Sequence, residues 1–170
     1  GMACVPLLMD NIYEKIIKGA KSGENLEKLE KAVKLSDALL KLGIDLRKLF
    51  FSKIIKNFGY RFPMMSCGGA PVNAERARFL SSLGFNIYIG YGLTEASPIV
   101  AINDDVIHNP ESVGKCVSCT ECVILEPDSD GIGEIALRGK NVTSGYYNDE
   151  KATAASFKDG LFLTGDYGKL

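Results

Sequence analysis

Hydrophobic and polar positions divide the chain into three stretches with different periodicities. In the first, apolar residues recur at helical spacing in three segments that end near Gly19, Gly43 and Gly59. Pro6 precedes the first of these helices, and Asp45 is expected to cap the third. Short apolar runs replace this spacing from about residue 62, and turns multiply beyond about residue 105. The pattern predicts a helical lead-in, then an α/β region, then a β-rich part.

The middle stretch has the order of a βαβ unit. The runs FPMMSC and NIYI are short strand candidates, and a helix capped by Asn73 and ended by Gly84 is predicted between them. The loop GGAP follows the first run, and GYGLTE follows the second. Ligands bind at the carboxyl ends of strands in open parallel sheets. Both loops are therefore candidates for ligand binding.

The last stretch predicts two antiparallel hairpins. ECVILE and GEIALRG form the first, and FKDGLFLTGD forms the second, with Asp159-Gly160 at its turn. The predicted fold class is α/β, with a parallel βαβ region followed by a β-rich, barrel-like part. The predicted division places the helical lead-in and sheet in residues 1–104 and the β-rich part in residues 105–170.

Composition narrows the class of protein. The 170 residues are 46% apolar and 24% charged, as in globular proteins, and no run is long and apolar enough to span a bilayer. A net charge of −1 gives no general attraction to nucleic acid or to membranes. Five cysteines, mostly in apolar contexts, favour a reducing cytoplasm over a disulfide framework.

The residues of GYGLTE suggest a nucleotide site or a simple turn. Glycines on both sides of Tyr91, including Gly92, let a flat ligand or a phosphate approach the backbone, and the tyrosine ring offers a stacking face. Thr94 supplies a hydroxyl that donates to phosphate, and Glu95 is a hard oxygen ligand for Mg²⁺. The alternative is a strand-to-loop turn with a surface Thr-Glu pair.

Four motifs identify a family resemblance. MSCGGAP, GYGLTEASP, GEIALRGKNVTSGYYND and LFLTGD, in this order, resemble the adenylate-forming superfamily of acyl-CoA synthetases, nonribosomal peptide adenylation domains and luciferases. The resemblance covers nearly everything from Met64 to Leu170. It implies part of the N-terminal domain of such an enzyme, which contains two α/β sheets and a β-barrel.

The resemblance also implies roles for individual residues. Tyr91 would stack on adenine, Thr94 would bond the α-phosphate, and Glu95 would bind magnesium. Asp166 would accept hydrogen bonds from both ribose hydroxyls. The backbone lining one side of the adenine would come from Gly68, Gly69, Ala70 and Pro71.

The implied reaction activates a carboxylic acid with ATP and Mg²⁺ to an acyl adenylate, which a thiol such as that of coenzyme A then intercepts. Thr94 and Glu95 are the implied catalytic residues. The family's Ser/Thr/Gly-rich phosphate loop ending in Pro-Lys-Gly does not occur in the sequence, and its C-terminal domain with the adenylation lysine would lie beyond Leu170. We therefore expect a fragment of a larger chain with little activity alone.

The helical lead-in resembles that of bacterial long-chain fatty acid–CoA ligases, which favours a fatty acyl substrate. Neither the acyl chain length nor the oligomeric state follows from the sequence. Two alternatives stay open. One is an adenylation enzyme that delivers the acyl group to a carrier protein. The other is a non-catalytic nucleotide-binding or lipid-surface module.

Three further sequence features could be functional or could have an ordinary structural role. Cys116, Cys119 and Cys122 have metal-site spacing, but a fourth ligand is absent and Cys122 opens an apolar strand. Residues 46–58 are basic and amphipathic, which suits either peripheral membrane contact or a helix docked on the core. His108, the one histidine, is expected to be a solvated loop residue.

Overall fold

The computed structural model describes residues 1–59 and 64–170. It divides into two compact units, residues 1–90 with 103–114 and residues 91–102 with 115–170. The domain boundary predicted at residue 104 stays a prediction. Each of the two compact units consists of two separate stretches of the chain. The helices are α1 Pro6–Ser22, α2 Leu26–Lys41, α3 Arg47–Phe50, α4 Ser52–Asn57, α5 Ala74–Ser82 and α6 Glu150–Ala155. The strands are β1 Met2–Cys4, β2 Met65–Cys67, β3 Ile87–Gly92, β4 Ile99–Asn103, β5 Lys115–Cys116, β6 Thr120–Leu125, β7 Gly133–Gly139, β8 Phe157–Lys158 and β9 Leu161–Gly168.

The first unit is built on three parallel strands. β1 pairs with β2, and β2 pairs with β3, with Ser66 opposite Tyr88. The βαβ order β2–α5–β3 confirms the predicted parallel arrangement. β2 contains Met65–Cys67 of the FPMMSC run, and residues 62 and 63 of that run lie outside the described residues. The sequence pattern missed β1, since three residues before Pro6 are too few to show alternation.

Helices α1, α2 and α5 pack against one another, and α1 and α5 contribute five of the twelve buried residues in the core of the first unit. On α1, the side chains of Met9, Ile12 and Ile16 are buried at spacings of three and four residues, which is one face of an α-helix. Met65 of β2 and Leu80 of α5 are fully buried beside them. Burial of this apolar face is the principal favourable term for the unit.

The predicted third helix is wrong in two respects. It is two short helices, α3 and α4, separated at Phe51, and the cap position of α3 is Leu46 rather than Asp45. Phe51 is only 2% exposed, so core packing of this side chain overrides the continuous helical period. The Asp45 carboxylate still accepts a hydrogen bond from the N–H of Arg47, the first residue of α3, at 3.1 Å. It also accepts one from the Arg47 guanidinium at 2.7 Å, which is the main reason that the pKa of Asp45 is lowered to about 2.

The other helix ends agree with the sequence to within a few residues. α1 continues three residues past Gly19 before Gly23, and α2 ends two residues before Gly43. The Asn73 side chain caps α5 as predicted, by accepting a hydrogen bond from the Arg76 N–H at 3.0 Å.

The second unit contains a four-stranded antiparallel sheet in the order β6-β7-β9-β8. Its pairings confirm both predicted hairpins, with Cys122 opposite Leu137 in the first. At the second turn, Asp159 and Gly160 have φ values of 51° and 76°, as a two-residue hairpin turn requires. Val100, Leu137 and Phe162 form the buried centre of the unit. β4 and β5 pair in antiparallel orientation, with Ala101 opposite Cys116.

Gly92 has no room for a side chain. A Cβ atom built on it would lie 1.9 Å from the Pro98 carbonyl oxygen, because the chain after β3 folds back on itself. The intervening residues make a single 3₁₀ turn from Thr94 to Ala96, and Ser97 then takes the left-handed conformation with φ 56°. A backbone carbonyl cannot move aside as a flexible side chain could.

We expect Asn73→Ala to lower the free energy of unfolding by about 1 kcal/mol, because the substitution removes the acceptor for a helix N–H. Urea denaturation followed by circular dichroism measures this loss. Asn25→Ala is the matched control, since Asn25 precedes α2 but its side chain makes no capping bond. The control should change stability by less than about 0.5 kcal/mol. Equal losses in the two variants would show that the Asn73 cap does not contribute.

Gly92→Ala should destabilise the protein by about 1–3 kcal/mol or more, because the backbone must shift to separate the new methyl group from the Pro98 oxygen. Thermal unfolding gives the comparison. Gly19→Ala serves as its control, since a Cβ atom there meets nothing within 4 Å. In a helix interior this control substitution should stabilise by up to about 1 kcal/mol. A Gly92→Ala protein as stable as the wild type would contradict the described turn.

Candidate functional site

The GGAP loop lies in the first unit, directly after β2. Its backbone runs very close to the end of the neighbouring parallel strand: a Cβ atom on Gly68 would lie 2.9 Å from the Gly90 carbonyl oxygen. Gly69 has φ 81°, a conformation that favours glycine. Ala70 and Pro71 are exposed. The loop therefore presents backbone at the carboxyl end of a parallel strand, where open sheets bind ligands.

The second unit brings together two residues that the motifs placed 75 positions apart. The Tyr91 hydroxyl donates a hydrogen bond to Asp166 Oδ2 at 2.7 Å. The sequence assigned a ring-stacking role to one residue and a ribose role to the other, without predicting contact between them. Their pairing fixes the phenol ring relative to the carboxylate.

Burial of the phenol raises the pKa of Tyr91, and the hydrogen bond to Asp166 raises it further. Both effects disfavour the phenolate, the first through loss of hydration and the second through the adjacent negative charge. The ring is half-buried against the apolar cluster around Val100 and Phe162. Tyr91 is thus a neutral hydrogen-bond donor at physiological pH.

Asp166 is held by its own strand. Its backbone N–H donates to Thr164 Oγ1 at 3.0 Å, and that hydroxyl donates to the Ile135 carbonyl at 2.7 Å. The side chain is exposed, and within the described residues its second oxygen, Oδ1, has no hydrogen-bond partner. A carboxylate oxygen accepts more than one hydrogen bond. Asp166 can therefore accept from a diol while it keeps Tyr91 in place.

A second tyrosine holds the other motif carboxylate. The Tyr146 hydroxyl donates to Glu95 Oε1 at 2.9 Å, and this hydrogen bond is the main reason that the pKa of Tyr146 is raised. The Glu95 backbone is fixed as well, since its carbonyl accepts from the Thr143 N–H at 2.7 Å. Glu95 Oε2 has no partner among residues 1–59 and 64–170, so a hard cation could use it.

Asn141 ties the GYGLTEASP turn to the antiparallel sheet. Its amide nitrogen donates to the carbonyls of Ala96 and Ile99 at 2.9 and 3.2 Å. Its amide oxygen accepts from the Thr120 hydroxyl at 2.8 Å. The sequence motifs predict no role for Asn141 or Tyr146. Both lie in the quoted motif GEIALRGKNVTSGYYND, so the signal was present, but spacing alone does not show which carbonyl or carboxylate a side chain reaches.

Thr94 opens the 3₁₀ turn that carries Glu95, and it is exposed. The structure therefore gathers two linked pairs in the second unit, Tyr91 with Asp166 and Glu95 with Tyr146. Gly92 and Thr94 lie on the segment between Tyr91 and Glu95. The roles predicted for all of these residues, and for residues 68–71 in the first unit, stay predictions.

The described residues contain no group of three or more His, Cys, Asp or Glu side chains that could hold a metal ion. Burial raises the pKa of Cys122 to about 12, with a smaller contribution from the Cys116 thiol beside it. His108 Nδ1 lies 2.6 Å from Asp105 Oδ1 on an exposed turn. Within the same residues, no helix has the length and apolar character needed to cross a membrane.

Comparison with known proteins supports the resemblance. A family model described as AMP-binding enzyme matches residues 1–147. Long-chain-fatty-acid–CoA ligase 6 of Rattus norvegicus is 32% identical over 97% of this chain. Long-chain-fatty-acid–CoA ligase FadD15 of Mycobacterium bovis is 37% identical over 71% of it. The chain spans 26% and 19% of the lengths of these two relatives.

Solved structures show the same fold. O-succinylbenzoate CoA synthetase from Bacillus subtilis, in complex with the acyl-adenylate intermediate OSB-AMP, matches 72% of this chain with a TM-score of 0.59 and 27% identity. ATP-bound MatB from Rhodopseudomonas palustris matches 72% with a TM-score of 0.55 and 25% identity. The chain covers 27% of each of those proteins. The two units described above thus correspond to part of the N-terminal domain of adenylate-forming enzymes.

The family match stops at residue 147, before Asp166, but the rat relative aligns with nearly the whole chain. Sequence motifs, fold and family match agree, and the chain belongs to the AMP-binding enzyme family.

Proposed function

We propose that this chain carries nucleotide contacts of an acid–thiol ligase that activates a long-chain fatty acid with ATP. The names of the similar curated proteins, long-chain-fatty-acid–CoA ligases, support the choice of acid and of coenzyme A as acceptor. The acyl-adenylate bound to the similar Bacillus subtilis synthetase supports the chemistry. Because the chain covers about a quarter of these relatives, the activity is proposed for the longer protein that would contain it.

The hydrogen bond between Tyr91 and Asp166 carries the proposal. A nucleoside presents a flat base and a vicinal diol, connected by a short glycosidic link. Tyr91 offers a ring for the base, and Asp166 offers carboxylate oxygens for the diol. Two such groups must stand at a fixed separation to bind one nucleoside, and their direct bond at 2.7 Å supplies that constraint.

The proposed reaction has two steps. In the first, a carboxylate oxygen of the acid attacks the α-phosphorus of ATP, a C–O–P bond forms, and pyrophosphate leaves. In the second, a thiol attacks the acyl carbon and AMP leaves. The Thr94 hydroxyl would donate to an oxygen of the α-phosphate and so stabilise negative charge there. No covalent bond to the protein forms in either step.

Glu95 has the properties of a carboxylate ligand for magnesium. Mg²⁺ in nucleotide sites is held by one or two carboxylates together with phosphate oxygens and water. Glu95 Oε2 has no hydrogen-bond partner in the described part of the chain, while the Tyr146 hydroxyl orients the group through Oε1. When bound, the ion would neutralise phosphate charge. Tyr146 would then act as a positioning residue for the ligand.

We expect Tyr91→Ala to weaken AMP binding, measured by isothermal titration calorimetry, by roughly 5- to 150-fold, because base stacking on an aromatic contributes about 1–3 kcal/mol. Tyr91→Phe keeps the ring and should lose less, through the missing bond to Asp166. Tyr167→Ala is the control, since Tyr167 is 72% exposed and lies next to Asp166. No binding of millimolar AMP to the wild-type chain would contradict the proposed site, as would equal affinities of wild type and Tyr91→Ala.

The isolated chain should form acyl adenylate far more slowly than a complete ligase. Its 170 residues contain neither the Pro-Lys-Gly phosphate loop nor the adenylation lysine expected for the family. Release of pyrophosphate from ATP and palmitate gives the rate, with a full-length fatty acid–CoA ligase assayed in parallel. Comparable rates would show that catalysis does not depend on those elements.

A further inference from the structure

The first unit contains a groove with an apolar floor and a basic rim. Helices α1, α2, α3 and α4 supply its walls, and its volume is about 780 Å³. This volume lies within the range of small-molecule sites, about 300–1,000 Å³. The floor is formed by Ile16, Leu29, Ala32, Phe51, Ile54 and Phe58. A floor of this kind accepts hydrocarbon rather than a polar ligand.

Four lysines from three helices border the groove. They are Lys15 and Lys18 on α1, Lys28 on α2 and Lys53 on α4. All four are exposed, and within the described part of the chain none has an ion-pair partner. Among residues 1–59 and 64–170, those that line the groove include no Asp or Glu.

Two carboxylates on these helices are already engaged. Glu14 of α1 bonds Arg76 at 2.8 Å, and Glu27 of α2 bonds Lys31 at 2.6 Å. Glu24 and Glu30 lie near Lys28 in sequence and have no ion-pair partner within the described residues, but neither of them lines the groove. The four lysines therefore give the rim a net positive charge. Ammonium groups around a low-dielectric floor attract an anion that also has an apolar part.

A concave floor favours a single molecule over a membrane surface. Peripheral membrane helices insert apolar side chains that project outward. Here Ile16 and Phe51 are 8% and 2% exposed, so the apolar surface lies at the bottom of a recess below the lysines. A hydrocarbon chain can enter such a recess while its charged end stays at the rim.

We propose that this groove binds one long-chain carboxylate, with its hydrocarbon chain on the apolar floor and its carboxylate among Lys15, Lys18, Lys28 and Lys53. None of the lining residues belongs to the GGAP, GYGLTE or LFLTGD segments. The groove is thus an acyl-anion site that does not use the nucleotide motifs. The inference stands independently of the proposed ligase reaction.

Fluorescence of cis-parinarate on binding to the purified 170-residue chain, displaced by monomeric palmitate, tests the proposal. We expect one saturable site whose affinity falls as salt rises. Lys18→Glu combined with Lys53→Glu should weaken binding by roughly tenfold or more, because hydrogen bonds to charged groups contribute about 1.5–3 kcal/mol. Lys34→Glu with Lys41→Glu is the matched control, since both lysines are exposed on α2 outside the groove. Hexadecanol should displace the probe much less well than palmitate.

Gly19→Leu tests the proposal by filling the groove instead of changing its charge. Gly19 lines the groove within α1, and a Cβ atom there meets nothing within 4 Å, so a leucine can fill the recess without a backbone clash. The variant should lose most parinarate binding and be at least as thermally stable as the wild type, because leucine favours helix over glycine. Ala38→Leu adds the same side chain at an exposed position of α2 outside the groove and should bind normally.

Several results would overturn the proposal. Absence of saturable parinarate binding would overturn it. Undiminished binding by Gly19→Leu, or by Lys18→Glu combined with Lys53→Glu, would also overturn it. Association with anionic phospholipid vesicles without binding of monomeric palmitate would assign the face to a membrane. Binding by this chain but not by a longer form of the protein would make the groove an internal packing surface. Tyr91→Ala should bind parinarate normally, so failure of the nucleotide site and failure of the groove are distinguishable.

Discussion

The close approach of the backbone at Gly92 to the Pro98 carbonyl is the constraint on which the motif region depends. It makes the chain double back within six residues, so that a strand, a 3₁₀ turn and the next strand follow without a loose loop. The carbonyls that the reversal leaves without partners are then used. Asn141 binds two of them and the Thr143 N–H binds a third, which joins the turn to the segment after β7.

This arrangement explains why two tyrosines accompany two carboxylates. A carboxylate side chain without a partner samples several rotamers, and freezing it on ligand binding costs conformational entropy. Tyr91 holds one oxygen of Asp166 and Tyr146 holds one oxygen of Glu95, and within the described residues the other oxygen of each carboxylate has no partner. The phenols stay protonated, because burial and an adjacent negative charge both disfavour the phenolate in Tyr91. The carboxylates are therefore oriented before a ligand arrives.

Local patterns were sufficient for elements whose determinants are close in sequence. The cap at Asn73, the two hairpins and the Asp159-Gly160 turn were predictable, because turn residues and alternation act over a few positions. The continuous helix predicted from Asp45 was wrong, since burial of Phe51 is decided by distant parts of the chain. For the same reason the sequence named Tyr91 and Asp166 but did not predict that they bond. Asn141 and Tyr146 had no predicted role, because their partners lie 21 to 51 positions away.

The interleaving of the two compact units has a consequence for how this protein could be divided. The chain passes from one unit to the other after Gly90, after Ile102 and after Gly114. Neither unit is therefore a continuous segment of the chain. Dividing the chain at any point between residues 91 and 114 separates the parts of at least one unit. Exchange of whole units between relatives, by recombination or by design, requires coordinated junctions at all three crossings. The region that carries the nucleotide motifs is thus inherited together with the scaffold on both sides of it.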